Sequence, residues 1–399
     1  MMFFLLLCML SAYTNKYASA AVLAPLHDIA EFEDIGTNVL HKLKLEVYQQ
    51  RHKLRDVNEM FNMDDEMNDE NADDELCVWH KCDNDLSAPR GWGKYFDFSF
   101  LMKFLRNLNP FGMTDMKMSF YLFKREFPEC GRELGINAKR KDILQAGFNP
   151  RHKTRVIIHG WMSQSRGSFN RDVKNAYLKR GNYNIIIVNW SASATNVNYF
   201  AVVKMIEGFG TQLARFTQQL KRMVNADYDD MYLIGHSLGA QIAGAAGKLI
   251  KPERYNTIFA LDPAGPKFRD RSADFRIDPT DAKYVESIQT SGYLGFYEPT
   301  GNATFYPNYG VYQGQCYYVG CSHIRAYKMF TESITTDVGF WGTRCVRREP
   351  EWECDKQAAP SDLYRMGGEP ALAKSGMFYV KTRTSSPFAM GKNWTLEVK

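Results

Sequence analysis

Three residues far apart in the chain, Ser237, Asp262 and His323, are of the types that together activate a hydroxyl for acyl transfer. Ser237 stands in Gly235-His236-Ser237-Leu238-Gly239, between the apolar run MYLI and a stretch packed with Ala and Gly, AQIAGAAGK. G-x-S-x-G is informative at a strand-to-helix turn, where the flanking glycines permit a bend that holds the serine hydroxyl clear of the sheet. A serine hydroxyl is a poor nucleophile until a base removes its proton. On this scaffold the partners follow in the chain order serine, acid, histidine. Asp262, in FALDPAGP, is the first acidic residue after Ser237 that ends a strand, and the prolines and glycine behind it break that strand. Asp270, Asp274, Asp278 and Asp281 come later and lie nearer to loops. Of the eight histidines only His323 follows Asp262, so it is the base available to Ser237. Asp262 would then hold the imidazole in one tautomer. The acyl oxyanion needs backbone donors. The N–H of Leu238 is one candidate, and the N–H of Trp161, in RVIIHGW, is the other, with His159 and Gly160 shaping its turn.

The elements that must carry these residues alternate. Residues 116–123, 154–160, 182–190, 231–235, 257–262, 282–290 and 375–382 read as strands, and 200–223 has apolar residues at helical spacing. Strands separated by helices predict a mainly parallel sheet, hence an α/β fold. His323 enters a helical segment directly after QCYYVGC, in which Cys316 and Cys321 could close a very small ring.

The chain has 399 residues, 45% of them hydrophobic, enough for a sizeable core. Residues 1–20 are expected to be a signal peptide: an apolar stretch too short to span a bilayer precedes Ala18-Ser19-Ala20. No later segment is apolar enough to cross a membrane, so a secreted, soluble product is expected. The net charge of +5 hides an asymmetry. Residues 21–90 carry 17 acidic and 7 basic side chains, and residues 91–399 carry 28 and 42. The run DDEMNDENADDE is too charged to pack a core, so residues 21–75 read as an acidic N-terminal extension or propeptide before a single domain over 76–399. The basic remainder suits an anionic lipid surface, and no nucleic-acid partner is expected. Cysteine usage suits an oxidising compartment. Close sequence pairs suggest Cys77–Cys82, Cys316–Cys321 and Cys345–Cys354, leaving Cys130 without an evident partner and a candidate buried free thiol, although sequence alone does not fix connectivity. Sequons at Asn302 and Asn393 are expected glycosylation points.

With RVIIHGW, GHSLGAQIAGAAG, LDPAGPKF and CSHIRAYKMF in order, the chain resembles the pancreatic-lipase family of neutral lipases over about residues 77–390. The resemblance implies an α/β-hydrolase fold, the triad Ser237, Asp262 and His323, and oxyanion donors at Trp161 and Leu238. It also implies a structural calcium on the loop after the acid, held by the carbonyls of Ala273 and Arg276 and the carboxylates of Asp278 and Asp281. No cofactor is required for the chemistry.

Three departures from the family stand out. No C-terminal β-sandwich follows, so no colipase-type partner is expected. The acidic extension lies outside the family core. Where family triacylglycerol lipases carry a long lid between paired cysteines, only Tyr317-Tyr318-Val319-Gly320 separate Cys316 from Cys321, and the loop SGYLGFYEPTGNAT (291–304) is short as well. Within the family both shortenings go with phospholipase A1 activity, as in wasp-venom enzymes. A long apolar lid tolerates charged head groups poorly, whereas an open serine leaves them in contact with solvent. The resemblance therefore points to hydrolysis of glycerolipid esters at membrane or lipid-droplet surfaces, at the sn-1 position of phospholipids, with triacylglycerol or galactolipid as the alternative substrate. A non-catalytic lipid-carrying homologue is the alternative from another class. Tyr293, Phe296, Tyr317 and Tyr318 are candidate lipid contacts.

Overall fold

The computed structural model describes residues 116–348, 351–355, 358–392 and 394, which lie in one compact unit. The expected signal peptide, the acidic extension, the Cys77–Cys82 pair and Asn393 fall outside the described residues.

Runs such as TRVII and NIIIVN have no polar face, so strands made from them need cover on both sides, as in a parallel sheet flanked by helices. The strands are β1 (Ser119–Lys124), β2 (Phe127–Glu133), β3 (Thr154–Ile158), β4 (Asn184–Asn189), β5 (Met231–His236) and β6 (Thr257–Leu261). They continue with β7 (Tyr284–Ile288), β8 (Ala303–Pro307), β9 (Phe340–Arg348), β10 (Glu351–Cys354), β11 (Tyr364–Met366) and β12 (Gly376–Val380). They form one twelve-stranded sheet in the order β10-β9-β12-β8-β7-β6-β5-β3-β4-β1-β2, with β11 paired to β9. Neighbours from β4 through to β12 run parallel, and the flanking pairs run antiparallel.

Four long helices cover the sheet: α1 (Ser168–Arg180), α2 (Tyr199–Val224), α3 (Leu238–Leu249) and α4 (Val319–Thr335). Because successive strand residues point to opposite faces, two cores form. Val156, Ile158, Ile186, Val188 and Leu233 pack with Val202, Ile206, Phe209 and Leu213 of α2. Ile157, Ile185, Ile187 and Ile234 pack with Phe169 and Val173 of α1 and with Ala326 and Phe330 of α4. The expected helix at 200–223 is α2, whose start is capped by the Asn198 side chain and whose end turns at Asn225 in the left-handed region.

Two readings are corrected here. Cys130 is not a free thiol: it is half-buried and disulfide-bonded. Cys316 pairs with Cys321 and Cys345 with Cys354, so the partner of Cys130 lies outside the described residues. Strands β2, β8, β9, β10 and β11 also went unread. β2 contains a proline, a glycine and three charged residues in seven positions, and β9 is broken by Gly342 and arginines. Strands at or near the ends of the sheet, with one wet face, do not show the continuous apolar signal of the centre, and the buried β8 is only five residues, ATFYP, broken by a threonine and a proline.

Candidate active site

Ser237 is the single residue between β5 and α3, with φ 58° and ψ −122°. A non-glycine residue in this region is strained by about 1–3 kcal/mol and persists because its surroundings over-determine it. Here the Ser237 N–H donates to the Leu261 carbonyl at 3.1 Å, and the Ser237 carbonyl accepts from Ala240 and Ala264 at 3.1 and 3.2 Å. The turn also needs Gly239, because a Cβ there would lie 2.0 Å from the Ile158 carbonyl oxygen. Leu238 opens the twelve-residue helix α3, so its N–H belongs to the first turn, whose amides lack intrahelical acceptors and carry the positive end of the dipole.

The turn after β3 lies directly beside the serine: a Cβ on Gly160 would come within 2.7 Å of the Ser237 Cβ. Trp161 follows, held by its indole N–H donating to the Asn196 carbonyl at 2.6 Å and by an edge-on contact with Tyr199. Both expected oxyanion donors thus sit in the two turns that flank Ser237.

Asp262 follows β6 on the same side of the sheet and is fully buried. Its Oδ2 lies 2.5 Å from His323 Nδ1, and its Oδ1 accepts the N–H groups of Thr290 and Ser291 at 2.8 and 3.1 Å. Burial pushes this carboxyl above its usual range, and the three hydrogen bonds oppose that push. His323, in the first turns of α4, is 12% exposed and so remains reachable from solvent. The structure therefore joins His323 to Asp262 and places Ser237 and Asp262 at the carboxyl ends of the neighbouring parallel strands β5 and β6, where open α/β sheets place their ligand sites.

Sequence reasoning missed the support beneath His323. His236, buried one residue before the serine, has Nε2 3.1 Å from the His323 carbonyl oxygen. Its ring lies 4.6 Å from the His323 ring, with Phe169 and Tyr327 on its other sides. Burial first, and His323 second, hold His236 well below the ordinary histidine range, so it stays neutral beside the base. The signal was its place inside G-x-S-x-G, but its partner is 87 residues away.

His159, expected to shape the turn, is fully buried, and its Nδ1 lies 3.0 Å from the Gly160 carbonyl. Burial pushes it down to about 4. The unfolded chain binds a proton near pH 6.5 that the folded one refuses until about pH 4. This contribution to stability is complete above the unfolded value and is lost as pH falls through the window between them, by up to roughly 3 kcal/mol. Melting temperatures of wild type and His159→Gln at neutral and mildly acidic pH check this. Wild type should lose more on acidification than the variant, and equal losses would refute the assignment.

The loops over the site are short and tied down. Arg269 donates to the carbonyls of Gly292, Tyr293 and Gly295, pinning the loop after β7. The closed Cys316–Cys321 ring ends inside the first turn of α4. Gln313, buried just ahead of it, donates its side-chain amide to the carbonyls of Thr290 and Pro307 and its N–H to the Ser322 hydroxyl. Tyr317 is 88% exposed on this ring, with Tyr318 and Tyr293 exposed as well, whereas Phe296 is core.

Of Ala273, Arg276, Asp278 and Asp281, the Arg276 carbonyl and the Asp281 carboxylate are engaged by Lys248 of α3, whose ammonium lies 2.9 Å from the first and 2.5 and 2.6 Å from the two Asp281 oxygens, while the Asp278 carboxylate accepts the Thr280 N–H at 3.0 Å. Asn302 is half-buried, and its side-chain oxygen accepts the Val285 N–H at 2.8 Å.

A nucleophile turn between a parallel strand and a helix, with an acid after the next strand and a histidine on a later helix, defines the α/β-hydrolase class. Within that class the chain belongs to the lipase family, which its residues 102–388 match; its members are carboxylic ester hydrolases. The chain is 34% identical to a phospholipase A1 of Vespa velutina, over 69% of this chain and 95% of that one. It is 32% identical to the probable phospholipase A1 magnifin of Vespa magnifica, over 69% and 86%. Against pancreatic lipase-related protein 2 of Bos taurus the identity is 28%, over 70% and 66%.

Proposed function

We propose that the protein is a secreted phospholipase A1, which hydrolyses the sn-1 acyl ester of glycerophospholipids through an acyl-enzyme on Ser237. The observation that carries the substrate reading is the Cys316–Cys321 ring, which leaves four residues where a lid would otherwise stand. So short a ring, closed onto α4, has no hinge with which to swing across the cleft. Its exposed Tyr317 and Tyr318, with exposed Tyr293 on the loop pinned by Arg269, suit a lipid surface. A zwitterionic head group beside an open site keeps its water, which removes most of the cost of approaching the serine.

In this reading His323 Nε2 takes the proton of the Ser237 hydroxyl while the oxygen attacks the ester carbon. Leu238 and Trp161 N–H groups hold the oxyanion. The carbon–oxygen bond to the glycerol then breaks, and His323 returns its proton to the departing 2-acyl lysophospholipid. Water, deprotonated by the same histidine, releases the fatty acid and restores the serine. Asp262 holds the imidazole and stabilises its charged form. Secretion is supported by the disulfides, which persist in oxidising compartments. No helix among the described residues is long and apolar enough to cross a membrane.

The test compares initial rates on phospholipid vesicles, galactolipid micelles and a triacylglycerol emulsion. Phospholipid should be the fastest, with no jump in rate as substrate passes its solubility limit. Preference for triacylglycerol together with such a jump would overturn the short-lid argument.

A further inference from the structure

The loop after the acid carries four residues at which the family resemblance places calcium, and Lys248 already engages two of them, Arg276 and Asp281. Its Nζ is 2.5 and 2.6 Å from Asp281 Oδ1 and Oδ2 and donates to the Arg276 carbonyl at 2.9 Å. Asp281 has no solvent exposure, and Lys248 is 19% exposed. Asp281 Oδ2 also accepts the Asp278 N–H at 2.9 Å, and the Asp278 carbonyl accepts the Asp281 N–H at 3.1 Å. Helix α3 is pressed onto this knot: a Cβ on Gly247 would fall 2.1 Å from the Asp281 carbonyl oxygen.

Calcium takes six to eight oxygens at about 2.3–2.6 Å. An ammonium within hydrogen-bond distance of both carboxylate oxygens and a carbonyl occupies the point on which those oxygens converge. The two cations exclude each other, so the residues present do not fit calcium while Lys248 stays in place. Among the described residues no group of three His, Cys, Asp or Glu side chains is disposed to hold a metal.

We infer that the Lys248 ammonium is a built-in cation that does the mechanical work of a divalent ion, tying the loop at 276–281 to α3, and that removing it opens a divalent-cation site. The consequence reaches the active site, because α3 begins at Leu238, directly after Ser237. A tether at the far end of that helix fixes the loop that follows the acid without any exchangeable ligand. Calcium removal should therefore leave the protein unaffected.

Thermal melts of the full chain, as wild type and as Lys248→Ala, in EDTA and in millimolar calcium, test this. Wild type should melt at the same temperature in both. Stripping the partner from a buried carboxylate is strongly destabilising, so Lys248→Ala in EDTA should melt lower by roughly 5–15 °C. Calcium should restore part of that loss, and magnesium, which gives up its waters reluctantly, should restore less. Lys248→Gln serves the same comparison if the alanine variant does not fold. A wild-type melting temperature that drops in EDTA would overturn the inference, and so would a folded Lys248 variant with no response to calcium.

Discussion

Ser237→Ala reduces ester hydrolysis by roughly five to six orders of magnitude, while the protein melts close to wild type. The size follows from the loss of the attacking atom, the hydroxyl that directly follows β5. Removing the nucleophile alone costs about as much as removing the whole set, because serine, acid and base act as one unit. The residual rate reflects the oxyanion donors and substrate binding. Stability should hold because the strained backbone of Ser237 is fixed by its own N–H and carbonyl, and alanine keeps both. Rates on a short-chain ester beside a melting curve decide it. Equal rates in variant and wild type would remove the enzymatic reading and favour a lipid-carrying protein.

Asp262→Asn is the second large effect, about 10⁴-fold in kcat, by analogy with the acid of serine-protease triads. The argument is one of hydrogen-bond polarity. Asp262 Oδ1 accepts two backbone N–H groups, from Thr290 and Ser291, so the amide oxygen of an asparagine must stay there. Its NH₂ then faces His323 Nδ1 at the position that Oδ2 holds now. Two donors cannot share that contact, so Nδ1 becomes the acceptor and the ring proton moves to Nε2. An imidazole protonated at Nε2 cannot take the serine proton. The change is nearly isosteric, so substrate affinity and melting temperature should move little while kcat collapses. A loss under tenfold would show that Asp262 does not set the tautomer.

The candidate triad was legible in the sequence because each of its residues rests on a local signal. Ser237 lies in a turn with glycines on both sides, Asp262 ends an apolar strand, and His323 has no competitor later in the chain. Most central parallel strands were readable for the same reason, since burial on both faces writes an uninterrupted apolar run, whereas the short β8, ATFYP, was missed. Contacts made in space left no such trace. Nothing in AGAAGK announces that Lys248 meets Asp281 33 positions on, nor that Arg269 clamps the carbonyls of three later residues. Cys130 looked single because its nearest cysteines in sequence are not close, and disulfides follow distance in space. The Asn302 sequon specifies a tripeptide but says nothing of the Val285 N–H that engages its side chain.

The ring at 316–321 changes meaning once it is seen against α4. It is continuous with the helix that carries His323, and Gln313 and Ser322 bind it to the ends of β7 and β8. It therefore positions the base as well as leaving the cleft open. On the proposed reading, the base and the open approach to it meet in one short segment.

The most direct measurement is product analysis on a phosphatidylcholine with different acyl chains at its two positions, using wild type beside Ser237→Ala. The account predicts release of the sn-1 fatty acid with accumulation of the 2-acyl lysophospholipid, and no release by the variant. Release of the sn-2 chain first, or equal release by the two proteins, would contradict it.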